Sequence, residues 1–318
     1  MVRLTAAAFG MLAMASAQSN WSVVKTLPIG GPGSWDYVTV DSQTHRLYVP
    51  RTTHTMVIDA ESGKTIADIP GQKNAHGVAL APKAGRGFIS DGGGDGAIMV
   101  FDLKTNAVLG SIPAIADVDG IIFDAHSGKV LVVSGRGKAF YSFKPDIDPI
   151  KNKLPPAVAL RGEPEFLSAD ASGKAYVNLM DTNEVAVLDL KAGSVVAHWP
   201  VAPGGQPVGL ALDEKLGRLF IGCRGPQKLI AMSTVDGKVV AELPIGPSVD
   251  AIKLDRGQVF ASTAGSQLFV TSEEAKAMAQ IVTTGEGART MGVDSSTHRI
   301  YCTCRPPSTK SGRTASVR

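Results

Sequence analysis

Apolar and polar residues alternate in short runs along the chain, and each run stops at an Asp or a Gly-containing turn. Tyr37 to Val49 reads YVTVDSQTHRLYV: an alternation, an Asp, a polar turn and a second alternation. The same form recurs at Gly77 to Ile89, Gly120 to Val132, Phe166 to Val177, Gly209 to Ile221, Ala251 to Ala261 and Thr290 to Cys302. Period-two alternation bounded by turn residues predicts antiparallel strands joined as hairpins. Each unit has a second half of the same kind. Met56 to Asp59 leads to Gly63 to Pro70, Val185 to Asp189 to Ser194 to Pro200, and Leu229 to Met232 to Gly237 to Pro244. Four short strands in about 40 residues make one blade of a β-propeller. A lone blade leaves both faces bare, whereas radially packed blades cover one another around a central channel.

The fold expected is therefore all-β, a seven-bladed propeller over residues 18–304, with no helix beyond a turn near Glu273 to Ala279. Trp21 to Gly30 (WSVVKTLPIG) matches the fourth-strand segment Val239 to Gly246, so an N-terminal strand should complete the last blade. Pro145 to Pro156 is an insertion, expected as a long hairpin loop between the outer strands of the third blade.

Composition removes several alternatives. With 35 Gly and 19 Pro among 318 residues, long helices have no room. An apolar fraction of 44% excludes general disorder. A net charge of +3 gives no basis for a nucleic-acid partner. Leu4 to Ala15 is apolar, follows Arg3 and precedes Ala15-Ser16-Ala17, the build of a signal peptide over residues 1–17 cleaved after Ala17. A periplasmic or secreted protein without a membrane span, and a monomer, is expected. Cys223, Cys302 and Cys304 form no disulfide framework, haem motif or zinc spacing.

These residues resemble the bacterial β-propellers built from the repeat named for its Tyr-Val-Thr-Asn signature. The shared form is an apolar strand, Asp, a Thr/Ser-Gly turn, Arg-Leu-Tyr-Val, Val-x-Val-Ile-Asp, Gly-Lys-Val-Val and a closing Ile-Pro. It covers Trp21 to about Tyr301. The resemblance implies a secreted or periplasmic seven-bladed propeller and supplies no activity. The chain departs from it after Tyr301, where Cys302-Thr303-Cys304-Arg305-Pro306-Pro307 replaces the third-strand alternation. That predicts a truncated last blade, left by a frameshift, and a disordered basic tail over residues 305–318.

One repeat position is not architectural. Five residues before the anchor Asp, or its equivalent, stand Asp36, His76, Asp119, Glu165, Val208, Asp250 and Arg289. The start of each innermost strand should face the channel mouth, so these residues should form one ring. Asp36, His76, Asp119, Glu165, Asp250 and Arg289 could bind a cation, a metal ion or a small polar ligand with amine and acid groups. Charge at a solvated mouth also costs little, so plain architecture accounts for the ring equally simply. Trp35 and Phe166 beside it could stack on a ligand, although Phe166 is expected to fill the gap between blades.

Other candidates are weaker. His45, His126 and His298 belong to turns, His198 to an outer strand, and His54 could reach the mouth. Asp91-Gly92-Gly93-Gly94-Asp95-Gly96 lacks both phosphate-loop and calcium-loop patterns and reads as a hairpin. Cys223 reads as a small buried thiol. No nucleophile elbow or cofactor signature is present, and no catalytic residue is assigned. A scaffold binding a small polar ligand or a protein is the reading favoured. A lactonase-like hydrolase or an oxidoreductase using the same ring, with His76 as base or metal ligand, is the alternative.

Overall fold

A computed structural model describes residues 20–305 and 313–317. They form an all-β protein in a propeller arrangement, with one 3-10 turn, Pro82–Ala84, as the only helical element among the described residues. The turn expected near Glu273 to Ala279 is not helical, and the strand Met278–Thr283 already starts inside it.

Five sheets have four strands each and a sixth has seven. This corrects the expectation of seven blades: the described strands form six sheets. The 17-residue strand Thr65–Ala81 runs unbroken from one repeat into the next. Its first half pairs with Thr52–Asp59 and its second half with Arg86–Asp91, and Ala75 is partnered on both sides, by Thr52 and Asp91. The link between two repeats thus stays inside the hydrogen-bonded ladder, which fuses their strands into one sheet.

The first strand of each repeat packs against the first strand of the next. Thr39–Asp41 neighbours Thr65–Ala81, followed in turn by Val118–Asp124, Pro164–Ala169, Pro207–Asp213, Val249–Asp255 and Met291–Asp294. Met291–Asp294 in turn touches Thr39–Asp41, so the ring closes. Second and third strands lie outside and bury their apolar faces between neighbouring repeats. Phe220, Leu229, Val249, Ile252 and Val259, for example, form one such layer.

The anchor Asp residues are turn caps. Asp41, Asp124, Asp170, Asp213 and Asp294 each accept a backbone N–H two or three residues on. Beyond the turns, His45 and His298 do more than face solvent. Both take left-handed backbone angles, and their rings reach Asp294 and Asp255 at 3.0 Å, each in a neighbouring repeat. His126 bridges to Glu214 at 3.1 Å.

The chain ends differ from expectation in one respect. Val23–Pro28 does join the last sheet, but its neighbour is Arg313–Val317, which pairs in turn with Arg299–Cys304. The last sheet therefore has four strands and is not truncated, and residues 313–317 are not a disordered tail. Unpaired ladder edges on both flanks accept any backbone that can extend, so pairing does not require the missing Val-x-Val alternation. The expected signal peptide over residues 1–17 lies outside the described residues, as do residues 306–312. Trp21 latches the entering chain: its indole donates to Gln258 at 2.7 Å, its backbone N–H to Gln280 at 2.8 Å, and its ring meets Phe260 edge-on. The insertion falls between Ala139–Phe143 and Val158–Ala159, as expected. No helix among the described residues is long and apolar enough to cross a membrane.

Candidate functional site

The ring positions owe their aim to a shared irregularity. The pairing of first and second strands slips between Ala75 and Val78, Pro164 and Leu167, Pro207 and Leu210, and Val249 and Ala251. A matching slip occurs opposite Asp119, between Val132 and Ser134. His76, Asp119, Glu165, Val208 and Asp250 thus sit in β-bulges, which free a side chain from the alternation and turn it aside. Buried second-strand side chains then hold the bulges. Ser90 donates to the Asp119 carbonyl at 2.5 Å and Asn178 to the Val208 carbonyl at 2.9 Å, while Ser262 donates to the Arg289 carbonyl. Each clamp runs from one repeat to the next.

His76 is the centre of one half of the ring. Its Nδ1 lies 2.7 Å from Asp36 Oδ2 and 3.6 Å from Asp119 Oδ1, and its Nε2 is 2.8 Å from the Asn74 amide nitrogen. Asn74 is itself placed by Asp91, whose carboxylate accepts the backbone N–H groups of Lys73, Asn74 and Gly93. Gly92 is required here, because a Cβ would come within 2.9 Å of His76 Nε2. The Asp91 to Gly96 run is thus a hairpin that supports the site. Burial pulls the His76 imidazole down, but the Asp36 hydrogen bond and the charges of Asp119 and Asp36 outweigh it and hold it up at about 9.

Asp250 organises the other half. Arg224 donates to one carboxylate oxygen at 2.5 Å and Arg289 reaches the other at 2.8 Å. Burial and the Asp36 charge push Asp250 up to about 6 against the two guanidinium groups. Glu165 rises to about 7 through burial, countered by Arg224 and reinforced by Asp250 and Asp36. Asp119 is held well above the usual carboxylate range by burial, although His76 opposes this. One of its oxygens is buried and accepts no hydrogen bond.

All six ionisable ring residues therefore act on one another, with Val208 as the neutral gap in the ring. Sequence reasoning left out Arg224, Asn74 and the interior role of Tyr37. Arg224 ends its strand, Arg218–Arg224, one residue after Cys223 and has no repeat signature of its own. Phe166 packs against the layer between two repeats that holds Tyr176, Leu210 and Leu219, as expected, and it also lines the channel, 5.0 Å from the Tyr37 ring. Tyr37 is driven well above its ordinary range by burial and by the charges of Asp119, Asp36, Asp250 and Glu165. Trp35 lines a cavity of about 310 Å³ beside the ring, together with Arg289 and Arg305.

His54 does not reach His76. It is buried near Asp68, at 3.8 Å. His198 lies in its outer strand near Glu184, as expected. The Cys223 thiol is buried and pushed up to about 12, so it is not a reactive thiolate at neutral pH. Asp36, His76 and Asp119 present ligand atoms all within 4.8 Å of one another, and a divalent cation there would have to displace the proton that His76 holds at neutral pH. The chain matches no family model and no curated protein.

Proposed function

We propose that the protein is an exported binding scaffold of the Tyr-Val-Thr-Asn repeat type. Its ring counts seven repeats when the long strand Thr65–Ala81 serves two of them. In this reading the channel mouth, formed by Asp36, His76, Asp119, Glu165, Asp250 and Arg289, takes a small polar ligand bearing a cationic group. The buried Asp119 oxygen without a hydrogen-bond donor carries the reading. That oxygen lies 3.6 Å from His76 Nδ1, too far for a hydrogen bond, and an amine or metal cation reaching it would satisfy it. Arg289, Arg305 and Trp35 beside the ring suit an acid group on the same ligand. A thermal-shift screen of amino acids, polyamines and divalent cations tests it. At one hundred times its Kd a true ligand stabilises by about 2.7 kcal/mol, and Asp119→Asn should abolish that shift. If no amine or cation raises the melting temperature at millimolar concentration, the reading fails.

Glu165, poised at about 7, favours one second reading. A group half ionised at neutral pH beside a metal-capable triad is suited to acid–base work in a hydrolase or an oxidoreductase. Metal analysis separates the classes: a stoichiometric metal that His76→Ala removes, accompanied by turnover, supports the enzyme. Absence of both leaves the scaffold.

A further inference from the structure

The channel has a second end, and its chemistry is the reverse of the mouth. Past the Tyr37–Phe166 contact the innermost strands alternate aliphatic residues, and two adjoining cavities of about 320 Å³ and 330 Å³ open there. Both are walled by Ile122 and Phe123, and both reach Phe166 and Lys253. Val40, Leu80, Leu212 and Val293 extend the apolar lining. Cavities of this size lie at the lower end of the range for small-molecule sites.

Lys253 is the one cation in that lining among the described residues. Its ammonium stands 5.1 Å from the centre of the Phe166 ring and makes no ion pair or hydrogen bond among the described residues. Two carboxylates, Asp124 and Glu214, also line the first of these cavities, and both are committed elsewhere. Asp124 caps its own turn through Ser127, and Glu214 pairs with His126 and accepts the Ala171 N–H. On the other side of Tyr37, Asp250 is held by Arg224 and Arg289. A cation placed in an apolar cavity without an anion is costly unless something arrives to neutralise it.

We propose that this end of the channel binds an amphiphile with one anionic head and an apolar body, its carboxylate or sulfonate on Lys253 and its body along the aliphatic walls. Burial without a compensating charge lowers the Lys253 amine to about 8, and the ligand's anion would restore its proton. Affinity should therefore fall as pH rises beyond about 8, where the free protein's amine loses its charge. The site is separate from the mouth and does not depend on the mouth's ligand.

Calorimetric titration of the full chain with dodecanoate below its micellar range, and with dodecanol below its solubility limit as the neutral counterpart, tests the proposal. Dodecanoate should bind the wild type, and Lys253→Met should weaken it at least tenfold while leaving dodecanol unchanged. Removing an unpaired charge from a half-buried position should not unfold the protein, and an unaltered circular dichroism spectrum verifies this. Ala169→Phe, which narrows the cavity without touching charge, should weaken both ligands. Equal dodecanoate affinity in wild type and Lys253→Met, or no dodecanoate binding at all, overturns the proposal, as does affinity that stays constant between pH 7 and pH 10.

Discussion

Raising the pH should destabilise this protein from about pH 5 to pH 8, because the folded mouth holds protons that the unfolded chain releases; above pH 8 the lowered Lys253 amine works in the opposite direction. The sign follows from each group. His76 moves from 6.5 to about 9, so its contribution is complete below 6.5 and is lost as pH rises through 9. Glu165 moves from 4.5 to about 7 and Asp250 from 3.8 to about 6. For these acids the folded state keeps a proton the unfolded state has lost, so stability also falls between the two values. Each proton so held tilts the profile by about 1.4 kcal/mol per pH unit, and each group alone spans about 3 kcal/mol. The groups share one field and do not add, so the whole descent should be about 3–6 kcal/mol. Guanidinium denaturation at unit steps of pH measures it. Glu165→Gln should flatten the limb below pH 7 and leave the limb above it, which belongs to His76. A wild-type profile that is level or rises from pH 5 to pH 8 would refute the reasoning, and so would a Glu165→Gln profile identical to it.

Two further perturbations probe how the ring is closed. Trp21→Ala removes a buried indole and the hydrogen bond it donates to Gln258, while the backbone bonds of residue 21 to Gln280 stay, which should cost about 3–5 kcal/mol and lower Tm by roughly 5–8 °C; a loss below about 1 kcal/mol would mean that the latch is dispensable. Ending the chain after Arg305 removes the strand Arg313–Val317, exposing the ladder edges of Val23–Pro28 and Arg299–Cys304. Lower Tm and faster aggregation are expected, and equal values in light scattering and melting would show that the last sheet holds without it.

The repeats were legible because the features that specify them are local. Alternation and turn-capping Asp residues such as Asp41 and Asp170 need only a few neighbouring residues to be recognised. The position of the ring was legible too, since superposing the repeats brings Asp36, His76, Asp119, Glu165, Asp250 and Arg289 to one register. What did not show was anything set by pairing across space. The fusion of two repeats through Thr65–Ala81 depends on Ala75 finding partners on both sides. Capture of Arg313–Val317 depends on edges left open elsewhere. Phe166 reads as a packing residue and is one, but its contact with the Tyr37 ring joins distant repeats. Arg224 was hidden for a similar reason: its side chain crosses to Asp250 in the next repeat.

The same repetition explains why chemistry concentrates at the mouth. Within each repeat the bulge carbonyl can be clamped by its neighbour, as Ser90, Asn178 and Ser262 do, so the backbone there is held whatever side chain it carries. The side chain itself belongs to no ladder face and no interrepeat layer. It is thus the one place in the period where residue type can vary without altering alternation, turn or packing. Variation is what the ring has: four carboxylates, an imidazole, a guanidinium and the neutral Val208. Farther along the same strands the alternation resumes and both neighbours constrain the wall, which is why the opposite end is aliphatic. Lys253 breaks that rule on a strand whose preceding residues, Ala251 and Ile252, are buried in the apolar layers between repeats. A charge where the fold asks for an apolar residue needs a reason outside the fold, and an anionic partner in the adjoining cavity supplies one.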